Sequence, residues 1–138
     1  MTAGEPAFLT LAEVVQIHHD QIEQYGGRAG VRDMGLLQSA LAAPRASAGG
    51  AYAHRDLFAM AAAYAFHLVK NHPFVDGNKR TALVSALLFL ELNGVSMLDP
   101  GERLYDATLR LAMGESTRED FAALLRNLPK EQTRRDNQ

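Results

Sequence analysis

Apolar residues recur at spacings of three and four positions in six segments of this chain, which is the period of helices that pack by one face. Polar residues that favour helix starts precede several of these segments, as Asp33 does for the second. Thr10 with Glu13, and Ser116 with Glu119, have the spacing of a capping box. The predicted helices cover residues 10–24, 33–43, 56–71, 77–93, 102–113 and 117–127.

The fourth predicted helix differs from the others because residues 81–92 are apolar on almost every side. Such a helix belongs in the middle of a core. Since neither an internal repeat nor a series of strands is visible, the sequence predicts an all-α fold, a single-domain helical bundle with one central buried helix. Residues 1–128 are predicted to form this domain. Residues 129–138 are predicted to be a disordered tail, because no apolar residue follows Pro129.

The connection between the second and third helices is rich in Ala, Gly and Ser over residues 44–54. This composition predicts a loop, with a small β-hairpin around residues 44–52. A plain flexible connector is the alternative interpretation. Residues 95–97 are predicted to form a second short extended piece.

Size and composition limit the class of protein. The chain has 138 residues and a mass of 15.1 kDa, which suits one domain, and its net charge of −2 gives no general affinity for nucleic acid. The absence of cysteine excludes disulfide bonds and zinc–thiolate sites and suits a reducing cytoplasm. The N-terminus lacks the features of a signal peptide, and the longest apolar run, residues 82–92, is too short to span a bilayer. We therefore expect a cytoplasmic protein without a membrane partner.

Candidate chemistry is concentrated just before the central helix, in the run His72-Pro73-Phe74-Val75-Asp76-Gly77-Asn78-Lys79-Arg80. A helix N-terminus carries a partial positive charge and unpaired amides, so the turn that starts at Gly77 can bind an anion. Lys79 and Arg80 add two positive charges. Asn78 can donate its amide to a phosphate oxygen or cap the helix. The pattern indicates a phosphate site.

Two further side chains of this run supply a metal ligand and a base. Asp76 would repel a phosphate directly but can hold a Mg²⁺ ion that bridges phosphate oxygens. His72 can act as general base towards a hydroxyl. Taken singly, such residues are more often helix terminators, turns or solvated surface, but their conjunction at the start of a buried helix favours a functional site. Phe74 is interpreted as a core anchor for the loop.

The remaining histidines are interpreted as structural. The run His18-His19-Asp20 could suggest a metal site, but adjacent helical residues point about 100° apart and no third ligand is evident. A partly exposed helix face is the favoured interpretation. His54 and His67 are also assigned structural roles.

The run of residues 72–80 resembles the signature of the Fic/Doc family, and its form with Lys after Asn is similar to the Doc (death-on-curing) toxin branch. The likeness extends over most of residues 8–128. Three other segments carry it: Tyr25-Gly26-Gly27, residues 30–41 and residues 82–94. The resemblance implies a Fic/Doc-type bundle and an ATP-dependent transferase that modifies a hydroxyl of a protein target.

The resemblance also implies a role for each site residue. His72 would be the general base and Asp76 the Mg²⁺ ligand. The residues implied to bind the nucleotide are Gly77, Asn78, Lys79 and Arg80. Residues 44–52 would form the flap that aligns the target by strand-like pairing.

Two departures from the Fic pattern bear on the reaction. AMP-transferring Fic enzymes have Gly in place of Lys79 and a second Arg in place of Leu83, so this chain lacks their usual contact to the terminal phosphates. Doc toxins share the Lys and are implied to bind ATP reversed, with the γ-phosphate at the reactive position. The implied reaction is phosphorylation of a Ser or Thr hydroxyl, with elongation factor Tu as the expected substrate and translation arrest as the result. AMP transfer is the alternative.

A toxin that acts on translation needs control. The inhibitory run of some Fic proteins, Ser or Thr followed four positions later by Glu and then Gly or Asn, does not occur here, since residues 116–120 have the wrong spacing. The resemblance therefore implies a separate, Phd-like antitoxin as partner, with nucleic acid bound only through that partner. A module that merely represses at DNA is a further alternative, against which the intact His72, Asp76 and Asn78 argue.

Overall fold

A computed structural model describes residues 5–99 and 102–131 and contains six α-helices in this part of the chain. The helices are α1 (Leu11–Tyr25), α2 (Met34–Ala42), α3 (Leu57–Asn71), α4 (Asn78–Leu92), α5 (Arg103–Ala112) and α6 (Arg118–Asn127). Each lies within one residue of its predicted bounds, and the all-α fold is confirmed. No helix in the described ranges combines the length and the apolar character needed to cross a membrane.

The helix starts follow local capping chemistry. The Thr10 side chain accepts from the Glu13 amide and completes the predicted capping box of α1. Asp33 caps α2 in the same way. The box predicted for α6 is wrong by one residue, because Thr117 is the extended cap and Asp120 supplies the reciprocal carboxylate.

The centre of the bundle is shared by two helices. α3 packs against α2, α4, α5 and α6, and small side chains at Ala61–Ala63 and Ala65 let these neighbours approach closely. α4 buries one side, which includes Ala82, Ala86 and Phe89, while Leu92 is 46% exposed. The prediction of one uniformly buried helix is therefore refined, because α3 buries at least as much of its length as α4 does.

The predicted hairpin is present as β1 (Ser47–Ala48) and β2 (Ala51–Tyr52), which pair antiparallel. Gly49 and Gly50 form the turn, with φ of 60° and 81°. Two successive residues in the left-handed region are what a tight two-residue hairpin turn requires. Both strands are exposed to solvent. A short 3₁₀ turn, Ala43–Arg45, precedes the hairpin.

The chain beyond α6 runs beside the predicted extended piece at residues 95–97. Met97 forms an isolated antiparallel bridge with Lys130, and the Glu131 amide donates to the Ser96 carbonyl at 2.8 Å. Residues 129–131, which were included in the predicted disordered tail, therefore pair with the body of the domain. The rest of that tail, residues 132–138, lies outside the described residues.

Candidate active site

The candidate site is built on the loop of residues 72–77 between α3 and α4, called the site loop below. α3 ends with His72 as its C-cap, in the left-handed conformation with φ 49° and ψ 55°. A side chain other than glycine is strained in this region, and such strain is typical of functional positions. The His72 side chain is exposed, as a base that meets a protein hydroxyl must be.

The other end of the site loop presents the open N-terminus of α4. Gly77 is the N-cap, with φ 76°, and no side chain caps the helix there. The first helical bond runs from the Thr81 amide to the Gly77 carbonyl, so the amides of residues 78–80 precede it. A Cβ at Gly77 would lie 3.1 Å from the Ile22 side chain. Glycine is therefore needed for both the turn and the packing, and the helix end remains available to an anion.

A cavity of about 190 Å³ lies at this helix end. Five of the six predicted site residues line it, and His72 does not. Its wall is formed by Gln21, Ile22, Tyr25, Gly26, Asp76, Gly77, Asn78, Lys79, Arg80 and Tyr105. The structure therefore brings the predicted phosphate-binding residues and the predicted metal ligand together, with the predicted base at the opposite end of the site loop.

Asp76 is held by backbone donors on both oxygens. Oδ2 accepts from the Arg28 amide at 3.2 Å and Oδ1 from the Gly77 amide at 3.0 Å. The hydrogen bond from the Arg28 amide, then that from Gly77, lowers the pKa of Asp76, and the charge of Lys79 adds to the effect. The exposed carboxylate is therefore ionised at neutral pH, as a Mg²⁺ ligand must be.

The neighbouring turn fits closely around this carboxylate. Gly27 has φ 114°, and a Cβ built there would lie only 2.8 Å from Asp76 Oδ2. The second glycine of the Tyr25-Gly26-Gly27 run is thus required by the site.

The buried side chain of Asn78 holds the backbone of the site loop at Phe74. The side chain is 5% exposed; Oδ1 accepts from the Phe74 amide and Nδ2 donates to the Phe74 carbonyl, both at 3.0 Å. The Phe74 ring is fully buried, in agreement with its predicted anchoring role. These bonds give Asn78 a structural task, and its predicted contact with the nucleotide stays a prediction.

The two basic residues of the run are placed differently. The Arg80 guanidinium lies 3.9 Å from the centre of the Tyr25 ring and 4.5 Å from that of Tyr105. Stacking between two aromatic rings fixes a guanidinium at the cavity wall. Lys79 is exposed and free to follow a ligand.

His18 belongs to the support of the site, which the sequence analysis missed. Its ring is 4% exposed and stacks on Phe74 with centroids 3.9 Å apart and planes 7° from parallel. Nε2 lies 2.8 Å from the Asp76 carbonyl oxygen, and because a carbonyl only accepts, Nε2 is the protonated nitrogen that donates. The prediction of a partly exposed face is wrong for His18, whereas His19 is exposed and pairs with Glu23. The spacing along α1 could have indicated this burial, because His18 follows the apolar Val14 by four residues and so lies on the same helix face.

The segment before α2 supports the other end of the site loop. Arg32 Nε donates to the His72 carbonyl at 2.7 Å and Nη2 to the Asn71 carbonyl at 2.9 Å. The backbone amides of Arg32 and Asp33 both donate to the Pro73 carbonyl. Sequence reasoning did not identify Arg32, because its partners lie about 40 residues away along the chain.

The other two histidines fit the structural interpretation. Burial, followed by the charge of Arg118, lowers the pKa of both His54 and His67. Both rings are therefore predominantly neutral at neutral pH.

The donor set suits a Mg²⁺–nucleotide pair better than a metal held by protein alone. In residues 5–99 and 102–131, no three His, Cys, Asp or Glu side chains are grouped to hold a metal. Mg²⁺ commonly takes one or two carboxylates and completes its shell with phosphate oxygens and water. The single ionised carboxylate of Asp76, beside an open helix N-terminus, fits that arrangement.

Comparison with known proteins identifies the class. The model of the Fic/DOC family matches residues 8–90, which is more than half of the chain. The chain therefore belongs to the Fic/DOC family, as the resemblance of residues 72–80 predicted.

Individual relatives narrow the class further. "Protein kinase doc" of Escherichia phage P1 is 41% identical over 117 residues, which cover 84% of this chain and 90% of that protein. "Toxin Doc" of Mycolicibacterium smegmatis is 48% identical over 73 residues, or 53% of this chain and 56% of that protein. Within the family, the chain falls in the Doc branch.

Proposed function

We propose that this protein is the toxin of a type II toxin–antitoxin system and a kinase that transfers the γ-phosphate of ATP to a Ser or Thr hydroxyl of a translation factor. The expected substrate is elongation factor Tu, whose modification would arrest translation. Membership of the Doc branch and the names of the two relatives support the proposal. The observation that carries it is the uncapped N-terminus of α4 beside the ionised carboxylate of Asp76.

The nucleotide phosphates would bind at the start of α4. The amides of residues 78–80, the helix dipole and the Lys79 ammonium all favour an anion there, and the stacked Arg80 guanidinium adds a fixed charge. Asp76 would hold Mg²⁺, which would supply positive charge to offset that of the phosphates. Lys79 adds bulk and charge where the α-phosphate would lie in an AMP transferase, which favours the reversed orientation of ATP.

His72 would act on the protein substrate. Its imidazole takes the hydroxyl proton while the hydroxyl oxygen forms a bond to the γ-phosphorus. The bond between that phosphorus and the β–γ bridging oxygen breaks, and ADP leaves with the electron pair. The exposed hairpin of β1 and β2 would bind a segment of the protein target by adding a strand.

The proposal includes a partner and a compartment. A Phd-like antitoxin would neutralise the toxin in trans, and the toxin would reach nucleic acid only through that antitoxin. Because elongation factor Tu works in the cytoplasm, the protein would act there.

The position of the label on ATP tests the reaction. Purified protein is incubated with Mg²⁺, elongation factor Tu and ATP labelled at either the α- or the γ-phosphate. Label from the γ position on the protein is expected. Label from the α position alone would replace the kinase by the nucleotidyl transferase, and no label from either would contradict both.

Two variants test the assigned roles. His72→Asn is the matched choice because Asn tolerates the left-handed backbone, and turnover is expected to fall by about 10²–10⁴-fold, the usual contribution of a general base. Asp76→Asn keeps an oxygen acceptor but loses the charge, so Mg²⁺ should no longer stimulate the remaining activity. Unchanged melting curves serve as the folding control, and wild-type turnover in His72→Asn would remove the base assignment.

A further inference from the structure

The end of α3 carries an arrangement that capping alone does not explain. The last carbonyls of a helix have no hydrogen-bond partner within the helix and form its negative end. Two of them, at Asn71 and His72, accept from the same guanidinium, that of Arg32, at 2.9 and 2.7 Å. The planar fork of Arg32 thus binds both peptide units that flank the strained His72.

Arg32 is itself attached to a rigid element. It directly precedes Asp33, the N-cap of α2, whose carboxylate accepts from the Leu36 amide at 2.9 Å. The Asn71 side chain returns a bond to the Leu36 carbonyl at 3.0 Å. The Arg32 and Asp33 amides fix the next carbonyl, that of Pro73, at 2.7 and 3.0 Å. The start of α2 therefore holds three successive carbonyls around the candidate base.

We propose that Arg32 is a positioning residue for phosphoryl transfer, whose guanidinium fixes the left-handed backbone of His72 and so the direction of its imidazole. The inference rests on the proposed function, because that proposal makes His72 the general base whose orientation matters. Without the guanidinium, the His72 backbone is free to leave the left-handed region for the extended region that a residue before proline prefers. The Cα–Cβ bond would then turn, and the imidazole would leave its place beside the hydroxyl.

The kinetic signature follows from where Arg32 acts. It touches the His72 backbone but not the cavity at α4, so the ATP-binding residues remain in place. In Arg32→Ala we expect kcat to fall about 10- to 100-fold, the usual cost of misplacing a reacting group by about 1 Å. The KM for ATP should stay within about twofold, because that binding is the same in ground and transition states.

Conservative replacement and chemical rescue separate this role from a general structural one. Arg32→Lys keeps the charge but not the fork, so its kcat should fall between those of the wild type and Arg32→Ala. Millimolar guanidinium chloride, far below denaturing concentrations, should raise the kcat of Arg32→Ala, since the site is exposed. The matched control is Gln38→Ala, an exposed position on α2. It should show the wild-type kcat and no rescue.

A readout without turnover distinguishes a failure of this inference from a failure of the proposed function. The three-bond coupling between the His72 amide and its Hα reports φ by NMR. It should change in Arg32→Ala and remain at the wild-type value in Gln38→Ala. If the wild type transfers no phosphate, the proposed function fails, while this coupling still shows whether Arg32 fixes the backbone of the residue.

Three results would overturn the inference. One is a kcat in Arg32→Ala equal to that of Gln38→Ala. Another is a fall in both kcat and melting temperature in Arg32→Ala that guanidinium does not reverse. Arg32 would then have only a structural role. The third is an unchanged His72 coupling. As a further check, Arg32→Ala should cost little more turnover in the His72→Asn background, since two residues that act through one group are not additive.

Discussion

Replacement of His18 by Phe tests whether the hydrogen bond from His18 to the Asp76 carbonyl holds the site loop. His18 is 4% exposed, stacks on Phe74 and donates from Nε2 to the Asp76 carbonyl at 2.8 Å. Phe keeps an aromatic ring against Phe74 but removes the donor. The backbone carbonyl of Asp76, the residue proposed to bind Mg²⁺, then loses its hydrogen-bond donor.

The size of the effect follows from the partial burial of this bond. Because Asp76 is exposed, its carbonyl can turn to water, and the loss of the bond costs about 0.5–1.5 kcal/mol. For a chain of this length, about 4 °C of melting temperature corresponds to each kcal/mol, so the expected decrease is about 2–6 °C. His18→Ala also loses the stacked ring and leaves a cavity, and we expect it to cost about 2 kcal/mol more.

Chemical denaturation monitored by circular dichroism gives the free energies of unfolding, with Mg²⁺ absent so that only the apo protein is measured. The adjacent His19→Phe is the matched control, because His19 is exposed and its partner Glu23 is too. Its free energy of unfolding should stay within about 0.5 kcal/mol of the wild type. If His18→Phe is as stable as His19→Phe, the bond to the Asp76 carbonyl does not hold the site loop.

Two other predictions concern Gly27 and His67. Gly27→Ala puts a Cβ 2.8 Å from Asp76 Oδ2 at a φ of 114°, so it should lower both the melting temperature and the Mg²⁺ affinity measured by calorimetry; an unchanged Mg²⁺ affinity would contradict the close fit. Burial, then the charge of Arg118, depresses the pKa of His67 below 6.5, its value when unfolded. The unfolded state therefore binds more protons under acid conditions, so the stabilising contribution is present above pH 6.5 and is lost as the pH falls through the folded pKa. His67→Gln should flatten the dependence of unfolding free energy on pH in that window, and an equal slope in both proteins would show that His67 does not cause it.

The helices could be predicted because their determinants are local. Caps such as Thr10 and Asp33 lie within three residues of the amides they bind, and Gly49-Gly50 encodes its own turn. The error at α6 arose where Ser116 and Thr117 are adjacent and either could cap. Local sequence thus fixed the type and bounds of each element.

The supports of the site could not be predicted, because they join distant segments. The bond from His18 spans 58 residues and the bond from Arg32 to His72 spans 40. A polar residue on a helix face has the same local pattern whether it meets solvent or a carbonyl from another segment. The reactive run was recognised because its residues are contiguous, whereas the residues that orient it are not.

The fold divides the proposed chemistry between two helix ends of opposite polarity. The site loop joins the carbonyl end of α3, where His72 lies, to the amide end of α4, where a phosphate is favoured. At the negative end of α3 the guanidinium of Arg32 binds the carbonyls of Asn71 and His72. Lys79 and Arg80, in the first turn of α4, line the cavity at the other end of the site loop. Changes near Arg32 should consequently alter turnover, and changes near α4 should alter nucleotide affinity, even though six residues separate the two ends.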